Sequence, residues 1–584
     1  MKPSALLLST FALLTACPGP STPATAPPTA TTATAPASTA DPAFDEFTAR
    51  LLAEHFARHP AAAVELGKHA FDGKIRTVTQ SALEADLAQI EQTIEQLEAQ
   101  DRAVLDERQR IELGTLLVAF RGERFEVAVR REPWRNPMHY MGDLNLVAYV
   151  GRDYAPVDER AQAVISIALA AGAHLAQAND NLEAVLPRTF VETALLQVRG
   201  TVDFCRTDVP AALGGVSAST KPSLDAALDQ MVTALETYAA ALEQRLPQAN
   251  DAFALGPERF VEMLEQTQGI RVDLSRLQQL AEEDLARNLE ALATATQAID
   301  PNQDQAKTVA AVLADKPAPD DVLNLATRQV EAMRQVLVDH DLVSIPSDDP
   351  ITVRPTPPFM RWNSAFLDPA GPFAGPGQPS FYYITPPDPS WPLEEQQAYV
   401  SGAQSLLFTT VHEVWPGHFL HSLHMRQIPS EVLRTFWNYV TGEGWAHYGE
   451  ELIWEVAFPD NNEVRVGQLD NALLRNVRFI SALGLHTGGM TVEASTQRFR
   501  TQALQDAATA KQQAVRGTFD PMYLAYTLGK IAIKKLRDDV RAKVEAEGGT
   551  FSLRAFHDDL LRHGGAPLPV IRESMLGPDA GPLL

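Results

Sequence analysis

The segment LDAALDQMVTALETYAAAL, residues 224–242, sets its large side chains at Leu224, Leu228, Met231, Leu235, Tyr238 and Leu242. Steps that alternate between four and three put all six on one face of an α-helix, so the segment predicts a helix with one buried stripe. Upstream, Leu83, Leu87, Ile90, Ile94 and Leu97 repeat the spacing. Downstream, Asp273 precedes an apolar-periodic run over residues 274–292. It reads as an N-cap, because its carboxylate can accept from the free N–H groups of a first turn. From residue 44 to about 342 the pattern stays helical without a fixed repeat, which predicts an irregular helical array.

The texture changes over residues 345–392, where recurrent prolines exclude continued helix. Two β-prone runs lie inside it, ITVR at 351–354 and SFYYIT at 380–385. Proline-flanked strands are expected at a sheet edge, where an extended peptide can add its backbone as a further strand. Tyr383 is thereby a candidate substrate-binding residue. Helical periodicity returns at Leu393 and continues nearly to the end. The expected fold class is mainly α: a large irregular helical array with a small β-sheet or edge-strand insertion beside the helix of the candidate site. Residues 43–344 read as an N-terminal helical region, continuous with a catalytic region at 345–584.

At 584 residues and 45% apolar content the chain can bury a large core. Its 74 acidic against 49 basic side chains give a formal charge of -25. That balance excludes a nucleic-acid partner, whose phosphates need clustered Lys and Arg. At the N-terminus, Lys2 precedes an apolar run over residues 5–14, too short for a mature membrane span but suited to a signal peptide. The run closes in LTAC, residues 14–17, which resembles a bacterial lipobox. Residues 1–16 are therefore expected to be a lipoprotein signal peptide and Cys17 the acylated residue, the alternative being cleavage after Ala16 with Cys17 unmodified. Residues 17–42, rich in Pro, Thr and Ala, read as a tether. The expected location is the bacterial cell envelope, with membrane contact through the lipid anchor alone. Cys205 is the only other cysteine, so any metal must be held by His and carboxylate.

Five of the 14 histidines fall between His412 and His447. The stretch VHEVWPGH, residues 411–418, opens with the His-Glu pair of zinc peptidases, in which His residues at i and i+4 bind metal and the Glu is the general base. Here i+4 is Pro416, and the next His stands at i+6, about 120° around an unbroken helix. Pro416 lacks an N–H and collides with the carbonyl of His412, and Gly417 admits unusual dihedrals, so the helix is expected to kink and return His418 to the side of His412. The stretch TGEGWAHYGE, residues 441–450, supplies Glu443 as a third ligand from a second helix. His447 and Glu450 share its face at i+4 and i+7 and are candidates to orient a ligand or touch substrate. One Zn²⁺ on His412, His418 and Glu443, with Glu413 as base, is the expected centre. A set built on His418, His421 and His424 is the alternative, and it leaves Glu413 without an adjacent ligand.

The segments HExxPGH at 412–418 and EGWA at 443–446 resemble those of the bacterial DUF885 family, which the resemblance reads as zinc peptidases related to the gluzincins. RFISALGLH at 478–486, YTLGK at 526–530 and FHDDLL at 556–561, ahead of Gly564, extend the likeness over most of the mature chain. Ser481 and His421 depart from the family, where Asp and Gln are commoner. The resemblance implies a gluzincin-like architecture and hydrolysis of a peptide bond by a metal-activated water. Zinc peptidases commonly add a Tyr or His to stabilise the oxyanion. Tyr526 is the first candidate, with His486 and His557 behind it, and Arg478 is a candidate for a peptide C-terminus. No phosphate-binding loop exists, and GVSAS at 215–219 lacks the final Gly of a serine-hydrolase elbow. Two other readings stay open: a catalytically inactive lipoprotein binding peptides or cell-wall fragments, and a zinc hydrolase of another amide.

Overall fold

The stripe of residues 224–242 lies on the helix Lys221–Arg245 with all six side chains buried. The upstream stripe lies on Gln80–Glu98, where Leu87 alone of the five is only partly covered. The structure, a computed structural model, describes residues 40–584 except 358–359, 362–363 and 389. The signal peptide expected at 1–16, Cys17 and nearly all of the tether lie outside the described residues. The tether's expected end at 42 comes too late, because Asp41 already caps the helix Pro42–Arg58 by accepting from Ala43 N–H at 3.0 Å.

Seven helices carry or support the site: α1 (Leu274–Ile299), α2 (Val322–Asp339), α3 (Ala403–Glu413), α4 (His418–Gln427), α5 (Tyr439–Ala457), α6 (Asn462–Thr487) and α7 (Ala525–Ala546). Asp273 caps α1, accepting from Arg276 N–H at 2.8 Å. Residues 40–584 form one unit, so the regions expected at 43–344 and 345–584 are continuous. Lys530 of α7, fully buried, sits 2.8 Å from Asp284 of α1 and 3.5 Å from Glu451 of α5. Asn476 of α6 donates to the same Asp284 oxygen at 2.7 Å. Four helices thus meet on one charged cluster, and removing a single partner would strand buried charge at a cost of about 3–5 kcal/mol.

The sheet has three strands, β1 (Ile351–Pro355), β2 (Ala365–Asp368) and β3 (Ser380–Ile384), in the order β1-β3-β2. β1 runs parallel to β3, Ile351 facing Ser380, and β2 runs antiparallel, Ala365 facing Ile384. The expected edge position holds for β1 and fails for β3, which is the central strand. Every residue of β3 is buried, as suits a continuous apolar run covered on both faces. Tyr383 is 5% exposed, its ring against Phe366 and Phe381. Its backbone has no free edge for a substrate strand. The free edge beside the site belongs to β2, four residues too short to show a period. Tyr382 O–H donates to Thr410 Oγ1 at 3.2 Å, and Thr410 donates to Gln329 at 3.1 Å, tying β3 to α3 and α2.

Candidate metal centre

The expected kink is a full break between α3 and α4. α3 ends at Glu413, the Trp415–Pro416 peptide is cis, and His418 opens α4. Gly417 is required by proximity: a Cβ there would overlap the carbonyl oxygen of His412. That close approach brings the His418 ring to 4.8 Å from the His412 ring. α5 clamps the break, since Trp445 Nε1–H donates to the Pro416 carbonyl at 2.8 Å. α5 is held in turn against α7, where Gly444 and Gly529 bring the two backbones into contact that no Cβ would permit.

On α5, Glu443 turns one oxygen, Oε2, to both imidazoles. His412 Nε2 lies 3.3 Å and His418 Nε2 3.2 Å from it. Neither pair has hydrogen-bond geometry, so this buried oxygen is without a hydrogen-bond partner. Donors bound tetrahedrally to zinc at about 2.0–2.1 Å stand about 3.3 Å apart, the separation found here between Glu443 and each imidazole. The chemistry of the set, two imidazoles and one carboxylate, and its orphaned oxygen therefore fit Zn²⁺. Burial alone would raise the Glu443 carboxyl, but His418 and His412 hold it well below the ordinary range.

Glu450, two turns further along the same face of α5, is fully buried. It accepts from His412 Nδ1–H at 2.7 Å and His447 Nδ1–H at 3.2 Å, and pairs with Arg475 at 3.0 Å. A Nδ1–H committed to a carboxylate leaves the Nε2 lone pair of His412 for a metal. Burial and Arg475 oppose protonation of His412, yet Glu443 and Glu450 outweigh them and raise its pKa to about 9 in the metal-free chain. Burial lowers His447 to about 4, so it is neutral. Arg475 had no signal of its own in the sequence beyond lying one turn before Arg478.

Glu413, the last residue of α3, accepts from the Leu367 N–H of β2 at 3.0 Å. The Tyr526 ring lies 5.9 Å from that of His412 at 25°, with the guanidinium carbons of Arg478 and Arg475 5.0 and 5.5 Å from its centroid.

The other histidines leave the site. His557 donates from Nδ1 to the Leu342 carbonyl at 2.7 Å and accepts from Tyr448 O–H at 2.9 Å, so both ring nitrogens of a fully buried side chain are spent. His486, 2% exposed, donates to the Gly517 carbonyl at 2.8 Å beside Phe253 and Phe260. Neither can meet substrate where it stands. His421 and His424 donate to the carbonyls of Gly564 and Ser344, both at 2.9 Å, and among the described residues they do not gather with His418 into a group of donor atoms, which removes the alternative ligand set. Ser481 is buried and accepts from Ser495 at 2.9 Å.

A second group, His55, His59 and Glu123, also gathers its donor atoms within 4.8 Å. There His59 Nε2–H already donates to Glu123 at 2.6 Å and Arg58 pairs with the same oxygen at 2.9 Å. That carboxylate is satisfied, whereas the Glu443 oxygen is not. A cavity of about 600 Å³ lined by Leu175, Asp180, Asp229 and Tyr238 contains no histidine, so donor chemistry and not volume locates the centre.

No curated protein matches the chain. A solved structure from Shewanella oneidensis, described as "a putative lipoprotein of unknown function", is 22% identical and aligns over 91% of this chain and 99% of that one with a TM-score of 0.75. Another from Colwellia psychrerythraea, described as "the putative lipoprotein", is 16% identical over 89% and 96%, with a TM-score of 0.73. These likenesses establish the fold, and residues 60–575 match the family described as "Bacterial protein of unknown function". The chain belongs to the DUF885 family.

Proposed function

We propose that the chain is a zinc-dependent hydrolase of peptide bonds, gluzincin-like in its centre and lipid-anchored through Cys17 in the bacterial cell envelope. The observation that carries the reading is the convergence of His412 and His418 on Glu443, each at zinc-tetrahedron spacing from an oxygen with no hydrogen-bond partner. These three residues would hold the ion. When bound there, Zn²⁺ supplies a Lewis acid that polarises a carbonyl and acidifies water.

The chain's own groups do the rest. Glu413 spends Oε2 on the Leu367 N–H, which orients the carboxylate and leaves Oε1 to take a proton from an attacking water and pass it to the departing amine. Glu450 holds His412 in the tautomer that presents Nε2. An extended peptide laid along the outer edge of β2 would pass beside Glu413. Tyr526, packed on His412, is the donor for the oxyanion. The lipoprotein description of both structural relatives and the lipobox-like residues 14–17 support the envelope location, which membrane fractionation of the full-length chain checks.

The test is metal analysis of the mature chain with a peptide-library digest of wild type and Glu413→Gln. Stoichiometric zinc in both, with cleavage confined to wild type, is expected. Zinc without cleavage in either would favour a peptide-binding lipoprotein, and equal cleavage by both would remove Glu413 from its role.

A further inference from the structure

Two guanidinium groups lie near the ring of Tyr526 and a third, that of Arg516, interacts with the same tyrosine, and their charges are not equally answered. Arg475 pairs with Glu450 at 3.0 Å, and Arg516 pairs with Asp520 at 2.9 Å. Arg478, 8% exposed, has one polar partner in the neutral Gln513, whose Oε1 accepts from its Nε–H at 2.8 Å. Among the described residues no carboxylate lies within ion-pair reach of it. An Arg side chain does not escape this by losing its proton. The face of Tyr526, 5.0 Å away, offsets part of the cost but supplies no countercharge. Gln513 fixes the guanidinium through Nε, leaving the fork of terminal nitrogens for a planar, bidentate anion.

The same Tyr526 ring flanks His412 on the candidate metal centre at 5.9 Å. An extended chain advances about 3.3–3.6 Å per residue. One or two residues therefore bridge a carbonyl at the centre and a carboxylate at Arg478. We infer that Arg478 receives the free C-terminal carboxylate of the substrate, so that the enzyme removes one or two residues from peptide C-termini and does not cut internally. This inference rests on the proposed hydrolase reading and gives it a substrate class.

The test uses the zinc-loaded mature chain and N-acetylated hexapeptide libraries ending in a free acid or an amide. Wild type should release C-terminal residues and favour the acid in kcat/KM by about 10- to 100-fold, the range of a charge-assisted bidentate contact. Arg478→Gln should bring that ratio near one by lowering the free-acid value, and Arg478→Lys should keep part of it. Thermal unfolding confirms that each variant is folded, and the lysine variant carries the test if the glutamine variant is not. Binding of both libraries to Glu413→Gln is the readout free of turnover, with the acid again expected to bind tighter. Equal use of acid and amide by wild type, internal cleavage, or a ratio unchanged in the Arg478 variants would overturn the assignment. Preferential binding of acid without any turnover would instead sink the hydrolase reading and leave the carboxylate site standing.

Discussion

Replacing Glu450 by Gln isolates what the buried carboxylate contributes behind His412. The native group meets His412 Nδ1 at 2.7 Å, Arg475 at 3.0 Å and His447 Nδ1 at 3.2 Å, and no part of it reaches solvent. The Gln carbonyl can still accept from His412, so the direction of the Nε2 lone pair survives. The negative charge that makes the ring a stronger ligand, and that answers Arg475, is lost. Outer partners of this kind change metal affinity by about 10- to 100-fold, equivalent to about 1.4–2.8 kcal/mol. Stability falls on a separate count, because Arg475 is 6% exposed and would face an uncharged amide. Breaking a buried pair costs about 3–5 kcal/mol, and the acceptor that Gln retains places this case at the low end. Zn²⁺ competition against a chromophoric chelator measures the first quantity, and urea unfolding of the metal-free protein the second. A folded variant with wild-type zinc affinity would refute the contribution of the Glu450 charge to His412 as a ligand, and unchanged stability would refute the Arg475 pairing.

The pH dependence of metal binding follows from His412, raised to about 9 against an ordinary 6.5 because Glu443 and Glu450 outweigh burial and Arg475. Zinc must displace its Nε2 proton, so about one proton leaves per ion bound at neutral pH and affinity weakens roughly tenfold per unit below about 9. Calorimetry in buffers of different ionisation enthalpy reads that release, and none at neutral pH would contradict the assignment. In the metal-free protein the raised pKa stabilises the fold fully below about 6.5, and the contribution fades as pH rises through about 9. Gly417→Ala forces a Cβ onto the His412 carbonyl, with an expected loss of about 1–3 kcal/mol or more in urea unfolding and less than one zinc per chain. An unchanged midpoint with full zinc would show that the break tolerates the side chain.

The helices were legible because their evidence is local. The stripe from Leu224 to Leu242 and the cap at Asp273 depend on a period of 3.6 residues and on the first turn's free N–H groups, and both stand as read. The donors of the centre were legible for a similar reason. Pro416 and Gly417 cannot continue a helix, and Glu443, His447 and Glu450 share a face at steps of four and seven. The sheet was read less well: proline flanks suggested an edge for residues 380–385, but a continuous aromatic run is the mark of a strand covered on both sides. β2 carried too few residues to show any period.

Sequence alone determined the helical class, the candidate donor side chains and the place where the helix had to break, since each rests on neighbours within a turn or two. Tertiary structure decided which histidines converge and which are consumed as core hydrogen-bond donors. His412 and His557 are alike as residues, yet one meets Glu443 and Glu450 while the other is spent on Leu342 and Tyr448. That difference, like the unanswered charge of Arg478, is set by which distant helices pack together, and no local period encodes it.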